Sequence, residues 1–264
     1  MIMQEVITKQ NGNIAFIEET HKYFDVTNPD AVFTSVTTMI HSYTQPFDKE
    51  FWSAYKALER LLPKDQWTVE KKSLLNSMKF DKVLLELHEI DENDFNREQQ
   101  AILDEWDNEN RKSCDRGTKI HADLENSFYT TKKNINLSKF EIGGKFVCEK
   151  DRTSLDLENG VYPEYLISRV SPDGKLRIAG QIDLLVKKGN KITIADWKTN
   201  KKIDMKSFFN QRNKTSVKMK FPLHKLDDCN YWHYTLQLST YAWMIQQLNP
   251  EFEIEDLVLV HFDH

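Results

Sequence analysis

The spacing of apolar and polar positions predicts strands and then helices in the first part of the chain. Residues 13–34 are rich in strand-forming side chains, and residues 35–40 predict a short helix. Asp48 is a suitable N-cap for an amphipathic helix that ends at Pro63. The broad apolar side of that helix carries Phe51, Trp52, Tyr55, Leu58 and Leu62.

Residues 68–112 predict a strongly polar helical region. Gly117 interrupts this pattern, and Thr118 can cap a new helix directly after it. One face of the new helix carries Ile120, Leu124 and Phe128. We therefore expect a break in the helical structure at Gly117.

Strands dominate the second half of the chain. The pattern predicts strands at residues 162–169, 176–187, 191–197 and 257–262, and an amphipathic helix at residues 232–247. Helices come first, and a hairpin-containing sheet with helices around it follows. This order argues for one α/β or α+β domain over residues 1–264.

The composition narrows the class of protein. The chain has 264 residues, a net charge of −5, 29% charged residues, and only 8 Gly and 7 Pro, which is typical of a soluble globular protein. No window approaches roughly 18 uncharged apolar residues, and no cationic region precedes an apolar run at the N-terminus. We therefore expect a cytoplasmic protein without membrane contact.

The three cysteines, Cys114, Cys148 and Cys229, are far apart in the sequence and form no CxxC motif. That spacing excludes a zinc ribbon and a dithiol redox motif. Free thiols packed as small apolar side chains are the expected state of all three.

Two oppositely charged segments underlie the mild net charge. Residues 86–109 hold ten acids and one base, and residues 198–225 hold nine bases and one acid. Either segment is explained by a solvated face or a loop. The basic segment also carries Phe208, Phe209 and Phe221, and cations interleaved with aromatic rings suit a polyanion whose bases can stack.

A predicted hairpin brings two carboxylates together. If Gly189-Asn190 forms a two-residue turn, Lys188 pairs with Lys191, and the same register sets Asp183 opposite Asp196. Lys198 shares a strand face with Asp196 because side chains alternate along a strand. The two acids could bind Mg²⁺ or Mn²⁺, with Lys198 acting on a water or a phosphate. A surface hairpin with a salt bridge from Lys198 is the alternative.

Two further pairs have the i, i+4 spacing that puts both side chains on one helix face. His121 could bind a metal while Glu125 orients it, and Gln237 with Tyr241 could bond to phosphate or contact a base. Glu164 lies on the strand before the hairpin. Each pair, and Glu164, could equally be an ordinary surface or core-edge feature.

Together, four motifs resemble the RecB-like branch of the PD-(D/E)XK nuclease superfamily. They are Gly117-Thr-Lys-Ile-His121-Ala-Asp-Leu-Glu125, Gly180-Gln-Ile-Asp183, Asp196-Trp-Lys198 and Gln237-Leu-Ser-Thr-Tyr241, in the order that the family has. The Ser35-Val-Thr region is also similar to the front of phage and mitochondrial single-strand DNA exonucleases of this branch. One departure is Ile182, which stands where the family name expects proline.

The resemblance implies a restriction-endonuclease-like core with a mixed central β-sheet flanked by helices. The core would cover residues 113–264, and residues 1–112 would form a helix-rich N-terminal region. The implied metal ligands are His121, Asp183, Asp196 and the Trp197 carbonyl. The other implied site residues are Glu164 as accessory acid, Lys198 as catalytic lysine, Gln237 and Tyr241 as organisers of the site, and Glu125 in support of His121.

The implied activity is Mg²⁺- or Mn²⁺-dependent cleavage of DNA, with exonuclease action on ends or single strands favoured. The iron–sulfur members of the family use four cysteines, so three cysteines predict no cluster here. No phosphate-loop motif is present, so a helicase or recombinase partner would be a separate chain. The predicted DNA contacts are Lys201, Lys202, Lys206, Phe208, Phe209, Arg212 and Lys214.

Three alternatives stay open at this point. The chain could be an endonuclease of the same fold that cuts flaps, junctions or specific sites. It could keep the fold as a DNA-binding or assembly protein without the chemistry. It could also be an interaction module whose acidic segment 86–109 docks a basic partner.

Overall fold

The computed structural model describes residues 7, 9–131, 135–137, 140–142, 157–211 and 213–262. Cys148, an expected free thiol, and Arg212, a predicted DNA contact, lie outside the described residues. The described helices are α1 (Val36–His41), α2 (Lys49–Leu61), α3 (Lys64–Ser77), α4 (Val83–Leu87), α5 (Glu92–Thr131) and α6 (Asn230–Leu248). The described strands are β1 (Lys9–Asn11), β2 (Ile14–Ile17), β3 (Lys22–Asp25), β4 (Asn28–Ser35), β5 (Ile135–Leu137), β6 (Phe140–Ile142), β7 (Gly160–Val170), β8 (Arg177–Lys188), β9 (Lys191–Lys198), β10 (Phe209–Asn210), β11 (Thr215–Ser216) and β12 (Glu253–His261).

The chain forms two compact units that interleave along the sequence. The first, here called the sheet unit, contains Met1–Tyr43, Gly117–Ile203 and Asn230–His264. The second, here called the helical unit, contains Thr44–Arg116 and Asp204–Cys229. Whether the chain acts as one domain, with a boundary between residues 112 and 113, stays a prediction.

A mixed eight-stranded sheet forms the centre of the sheet unit. Seven strands follow the order β1-β2-β3-β4-β8-β9-β12, and β7 also pairs with β8. The β4–β8 and β9–β12 pairs are parallel, and the other pairs are antiparallel. Helix α6 packs on β7, β9 and β12, while α1 contacts β4 and β8. The expected restriction-endonuclease-like α/β core with a mixed sheet and flanking helices is therefore confirmed.

The β8–β9 hairpin has the predicted register. Gly189 has a φ of +63°, which a glycine adopts without steric cost, and Lys188 pairs with Lys191 across the two-residue turn. The pairing continues as far as Leu184 with Ala195. Asp183 and Asp196 follow directly after this last pair, and they lie close enough for the charge of Asp196 to raise the pKa of Asp183.

The helical unit is built on the apolar side of α2. The Asp48 side chain accepts a hydrogen bond from the Phe51 amide over 2.9 Å, which confirms the predicted N-cap. The buried members of its core are Phe51, Ala54, Tyr55, Ala57, Leu58, Leu62, Trp67, Leu74, Leu85, Phe95 and Ile102. The polar helical region is divided after α3 and α4, where Met78 and Glu89 have φ near +50°.

The prediction of a helix break at Gly117 is wrong. Helix α5 runs without interruption through Gly117 and Thr118 and has 40 residues, so Thr118 is not an N-cap. A glycine inside a helix costs only about 1 kcal/mol relative to alanine, and the hydrogen bonds of the turns around it outweigh that cost. A Cβ at Gly117 would lie 3.3 Å from Thr199 Oγ1, so this glycine lets α5 approach the chain after β9 closely.

Among the residues that the structure describes, none of the helices combines the length and the apolar character needed to cross a membrane.

Candidate active site

The candidate site lies where two strands part along one edge of β8. On this edge, β4 pairs with Ile178 and Ala179, and β9 pairs with β8 from Leu184 onward. Within the described residues, no strand pairs with positions 180–183 on this side. Gly180 and Asp183 lie in that interval, so side chains from neighbouring elements can approach β8 there.

Asp183 is held in the interval by the backbone of β9. Its Oδ2 accepts a hydrogen bond from the amide of Trp197 over 2.7 Å. The carboxyl group is buried beside Asp196 and Glu164. Burial and then the charges of these two acids raise the pKa of Asp183 well above its ordinary value. Such a cluster favours a bound cation, because a cation relieves the repulsion between carboxylates.

His121, Glu164 and Asp183 bring their side chains together from α5, β7 and β8. His121 Nδ1 is 3.6 Å from Glu164 Oε1 and 3.6 Å from Asp183 Oδ1. One ligand atom from each of the three residues lies within 4.8 Å of the others. Burial alone would lower the pKa of His121, but the two carboxylates raise it to about 9.

Glu164 has an unusual backbone conformation. Its φ is +50°, and the β7–β8 pairing passes from Pro163 to Tyr165 without it. Left-handed backbone costs a residue other than glycine about 1–3 kcal/mol and is concentrated at functional sites. Gln181 donates a hydrogen bond to Glu164 Oε2, whereas the buried Oε1 has no hydrogen-bond partner. The Glu164 carboxylate thus has an unused acceptor atom facing His121.

Asp196 and Lys198 form an ion pair on one face of β9. Lys198 Nζ lies 2.5 Å from Asp196 Oδ2, and the two side chains are 14% and 2% exposed. Burial works to lower the pKa of Lys198, but the charges of Asp196 and Asp183 outweigh it and the pKa is raised. The predicted sharing of a strand face is therefore confirmed, and a buried cation lies beside the acids.

Helix α6 also contacts the ammonium group of Lys198. Lys198 Nζ donates to Gln237 Oε1 over 3.3 Å and lies 4.3 Å from the centre of the Tyr234 ring. Gln237 Nε2 is 3.4 Å from Tyr241 Oη. Tyr241 packs over Gly180, where an added Cβ would lie 2.6 Å from Tyr241 Cε1. Gly180 therefore permits the close approach of α6 to β8.

Glu125, predicted to support His121, accepts hydrogen bonds from Lys9. Lys9 Nζ is 3.1 Å from both Oε1 and Oε2 of Glu125, and 3.8 Å from Glu164 Oε2. Lys9 therefore lies between two acids of the site. Its position on β1 is fixed in part by Asn11, whose Nδ2 donates to the Leu166 carbonyl of β7 over 2.7 Å.

Three residues of the site were not predicted from the sequence: Lys9, Tyr23 and Tyr234. Tyr234 precedes Gln237 by three residues on α6, so helical spacing could have indicated it. No spacing signal links Lys9 or Tyr23 to the motifs. Burial and then the charges of Glu164 and Asp183 raise the pKa of Tyr23, so this tyrosine stays protonated beside the acids.

The side chains present fit a divalent cation. Carboxylate oxygens and an imidazole nitrogen suit Mg²⁺ and Mn²⁺, and the unbonded Glu164 Oε1 offers a lone pair inside the cluster. Asp196 adjoins this group through a side-chain hydrogen bond with Asp183. Glu164 thus belongs to the cluster more directly than its predicted accessory role implies. The participation of the Trp197 carbonyl stays a prediction.

The predicted DNA-contacting residues divide between the two units. Lys201 and Lys202 are exposed in the sheet unit, and Lys206 and Lys214 are exposed in the helical unit. Phe208 and Phe209 are about half exposed, at 47% and 50%. The Phe208 ring meets Trp52 edge to face, with ring centres 5.4 Å apart.

Comparison with known proteins identifies a family for this chain. The family model of the PD-(D/E)XK nuclease superfamily matches residues 80–261, which include every motif from His121 to Tyr241. No curated protein and no solved structure matches the chain significantly. The match spans more than two-thirds of the sequence, and the sheet has the mixed topology expected of the fold. The chain belongs to the PD-(D/E)XK nuclease superfamily, whose members are metal-dependent nucleases.

Proposed function

We propose that this chain is a Mg²⁺- or Mn²⁺-dependent deoxyribonuclease that acts as an exonuclease on DNA ends or single strands. The observation that carries the proposal is the convergence of His121, Glu164 and Asp183 beside the Asp196–Lys198 ion pair. A structural salt bridge would explain Lys198 and Asp196 alone. It would not explain the three further ionisable groups that α5, β7 and β8 bring together beside that pair.

His121, Glu164, Asp183 and Asp196 are the residues that would hold the metal. A divalent cation bound there supplies Lewis-acid stabilisation of charge on the scissile phosphate. The Trp197 amide keeps Asp183 oriented, and Gln181 does the same for Glu164. The acids are thus positioned by the protein itself, which lowers the cost of organising the site around a ligand.

Lys198 stabilises negative charge that develops on the phosphate. Gln237 and the Tyr234 ring fix its side chain from α6, and Tyr241 fixes Gln237 in turn. This arrangement follows the family role in which the lysine is catalytic and the Gln–Tyr motif organises the site. Glu125 contributes through Lys9 as well as through its place one turn after His121.

The exposed lysines of segment 198–225 bind the DNA backbone. Neutralisation of phosphates by lysines makes DNA affinity fall steeply with salt. The Ser35-Val-Thr region is similar to the front of phage and mitochondrial single-strand DNA exonucleases, and this supports action on ends or single strands. We expect any helicase or recombinase partner to be a separate chain, and we expect the enzyme to work in the cytoplasm of a bacterial cell or a phage-infected host.

The test uses purified full-length protein with Mg²⁺ or Mn²⁺, and with EDTA. The substrates are linear DNA labelled at the 5′ or the 3′ end, single-stranded and double-stranded, beside covalently closed circles. We expect metal-dependent loss of linear DNA while circles are spared, and the label pattern gives the polarity. Cleavage of closed circles would replace the exonuclease proposal with an endonuclease of the same fold.

A matched pair of variants on β9 tests the assignment of the site. Lys198→Gln should abolish cleavage, whereas Lys191→Gln should keep it, because Lys191 lies at the hairpin end of the strand and pairs with Glu255. Full activity of Lys198→Gln would contradict the assignment. DNA binding by the wild-type chain without any cleavage would favour the DNA-binding or assembly protein instead.

A further inference from the structure

A hairpin in the helical unit presents an aromatic ring to solvent. The Phe221 side chain is 80% exposed, the largest value among the exposed large apolar residues that the structure describes. Its ring is nearly parallel to the ring of His224, with an interplanar angle of 15° and ring centres 5.6 Å apart. The hairpin runs over residues 217–228, and Phe221 lies at its tip.

The hairpin tip is held by hydrogen bonds, so the ring is presented from an ordered loop. The Met219 amide donates to the Leu226 carbonyl over 3.1 Å, and the Leu223 amide donates to the Lys220 carbonyl over 2.8 Å. Met219 is only 2% exposed and anchors the base of the tip. The Phe221 ring is thus presented to solvent from a hydrogen-bonded loop, with one face turned toward His224.

The base of the hairpin is tied to the rest of the helical unit. The Gln45 side chain donates to the Lys218 carbonyl over 3.0 Å, and the Gln45 amide donates to Asp228 Oδ2 over 2.5 Å. Ser207 Oγ donates to the Val217 carbonyl over 2.6 Å. The tip is therefore a fixed projection of the unit.

The charge around the ring is positive. Residues 214–225 contain four lysines and no acid. The nearest acid, Asp227, accepts hydrogen bonds from Lys218 and Ser216, and its pKa is lowered chiefly by Lys218. The negative charge of Asp227 is thus balanced by Lys218 at the base of the hairpin. Lys225 is exposed and lies beside the tip.

We infer that the hairpin tip is a single-strand DNA subsite in which an unpaired base stacks on the open face of Phe221. His224 backs the ring on its other side, and Lys225 holds an adjacent phosphate. A base fits this surface because it combines an aromatic face with a flanking negative charge, and stacking tolerates any base. A base in a duplex already has two stacked neighbours, so the subsite prefers unpaired DNA. The inference rests on the proposed action on DNA and names the residues that grip the strand.

The test measures binding of full-length protein to a fluorescein-labelled single-stranded oligonucleotide by anisotropy, in EDTA so that no cleavage occurs. Phe221→Ala should weaken binding roughly 5- to 100-fold, and Phe221→Trp should restore it. The matched control is Phe47→Ala, because Phe47 is also exposed in the helical unit but packs against Trp106. This control should bind as the wild type does.

Two further readouts separate stacking from a general loss of structure. Oligonucleotides with one base removed at successive positions should bind more weakly to the wild type at one position, and Phe221→Ala should abolish that position effect. Lys225→Gln should lower the slope of log affinity against log salt by about one, whereas Phe221→Ala should leave the slope unchanged.

The inference is overturned if Phe221→Ala binds within twofold of the wild type, or weakens duplex and single-strand binding equally. It is also overturned if the wild type binds no single-stranded DNA in EDTA, as would follow if the hairpin docked a protein partner. Absence of cleavage with either metal, together with the base-removal effect at Phe221, would refute the proposed nuclease action and leave the subsite standing.

Discussion

The amide of Trp197 donates a hydrogen bond to Asp183 Oδ2 over 2.7 Å, so a backbone group of β9 fixes the carboxylate that β8 contributes to the site. Where β8 and β9 separate, the Asp183 side chain accepts a hydrogen bond from the β9 backbone in place of a backbone carbonyl of β8. One acid thus serves the sheet through Oδ2 and faces His121 through Oδ1. Substitutions can separate these two roles.

Asp183→Asn should abolish metal-dependent cleavage and leave thermal stability in EDTA unchanged or raised. Asparagine keeps an oxygen that accepts from Trp197 and removes one negative charge from the acidic cluster. Asp183→Ala should also abolish cleavage, but it should lower the free energy of unfolding by about 1–3 kcal/mol, because a buried amide loses its partner. Denaturant unfolding of both variants measures the difference. Equal stability of the two variants would contradict the dual role.

Gly180→Ala should destabilise the protein by about 1–3 kcal/mol, because the new methyl group would lie 2.6 Å from the buried Tyr241 ring. Movement of Tyr241 should also release Gln237 from Lys198 and reduce cleavage. In a Tyr241→Ala background the same change should cost much less, since the atom in conflict is gone. A double-mutant cycle by denaturant unfolding gives the coupling. If the two substitutions change the free energy of unfolding additively, residue 180 and the Tyr241 ring do not contact each other.

Lys9→Met should strengthen divalent-metal binding roughly tenfold, which corresponds to about 1.4 kcal/mol. Lys9 neutralises part of the charge of Glu125 and Glu164, and its removal leaves that charge to the metal. Titration calorimetry with Mn²⁺ measures the change. Lys175→Met is the control, because it removes the same charge from an exposed turn of the same unit. Weaker binding by Lys9→Met would indicate instead that Lys9 is needed to position the acids.

Gly117→Ala should stabilise the protein by up to about 1 kcal/mol, because alanine is the better residue inside a helix and α5 is continuous here. The opposing contact is Thr199 Oγ1 at 3.3 Å, which must yield by a few tenths of an ångström. The gain should therefore be larger in a Thr199→Ala background. Melting temperatures of the wild type, the two single variants and the double variant measure these effects. A loss of stability in the Thr199→Ala background would argue against a helix through residue 117.

The hairpin is the part of the site that the sequence predicts best. A two-residue turn fixes the register of two strands, and the period of two then decides which side chains share a face. Asp183, Asp196 and Lys198 follow from these local rules. Helical spacing places Gln237 and Tyr241 one turn apart on α6, where they meet.

Local rules fail at Gly117 and at Glu164. The sequence pattern treats a glycine as a helix break, but the turns on both sides of Gly117 hold the helix together. The left-handed backbone of Glu164 has no signature in the residues around it, and it occurs where the β7–β8 pairing passes over this residue. The same applies to Lys9 on β1, which the tertiary structure brings to Glu125 on α5 across 116 positions of sequence.

The sequence by itself therefore determines the mixed α/β class, the β8–β9 hairpin and the acids and lysine that it carries, because turn type and side-chain periodicity act over a few residues. The resemblance to the family names His121 and Glu164, but only the tertiary structure decides how the groups around those acids converge. His121 reaches them from α5, Glu164 from β7 and the unpredicted Lys9 from β1, and contacts between distant segments have no period that a single sequence displays.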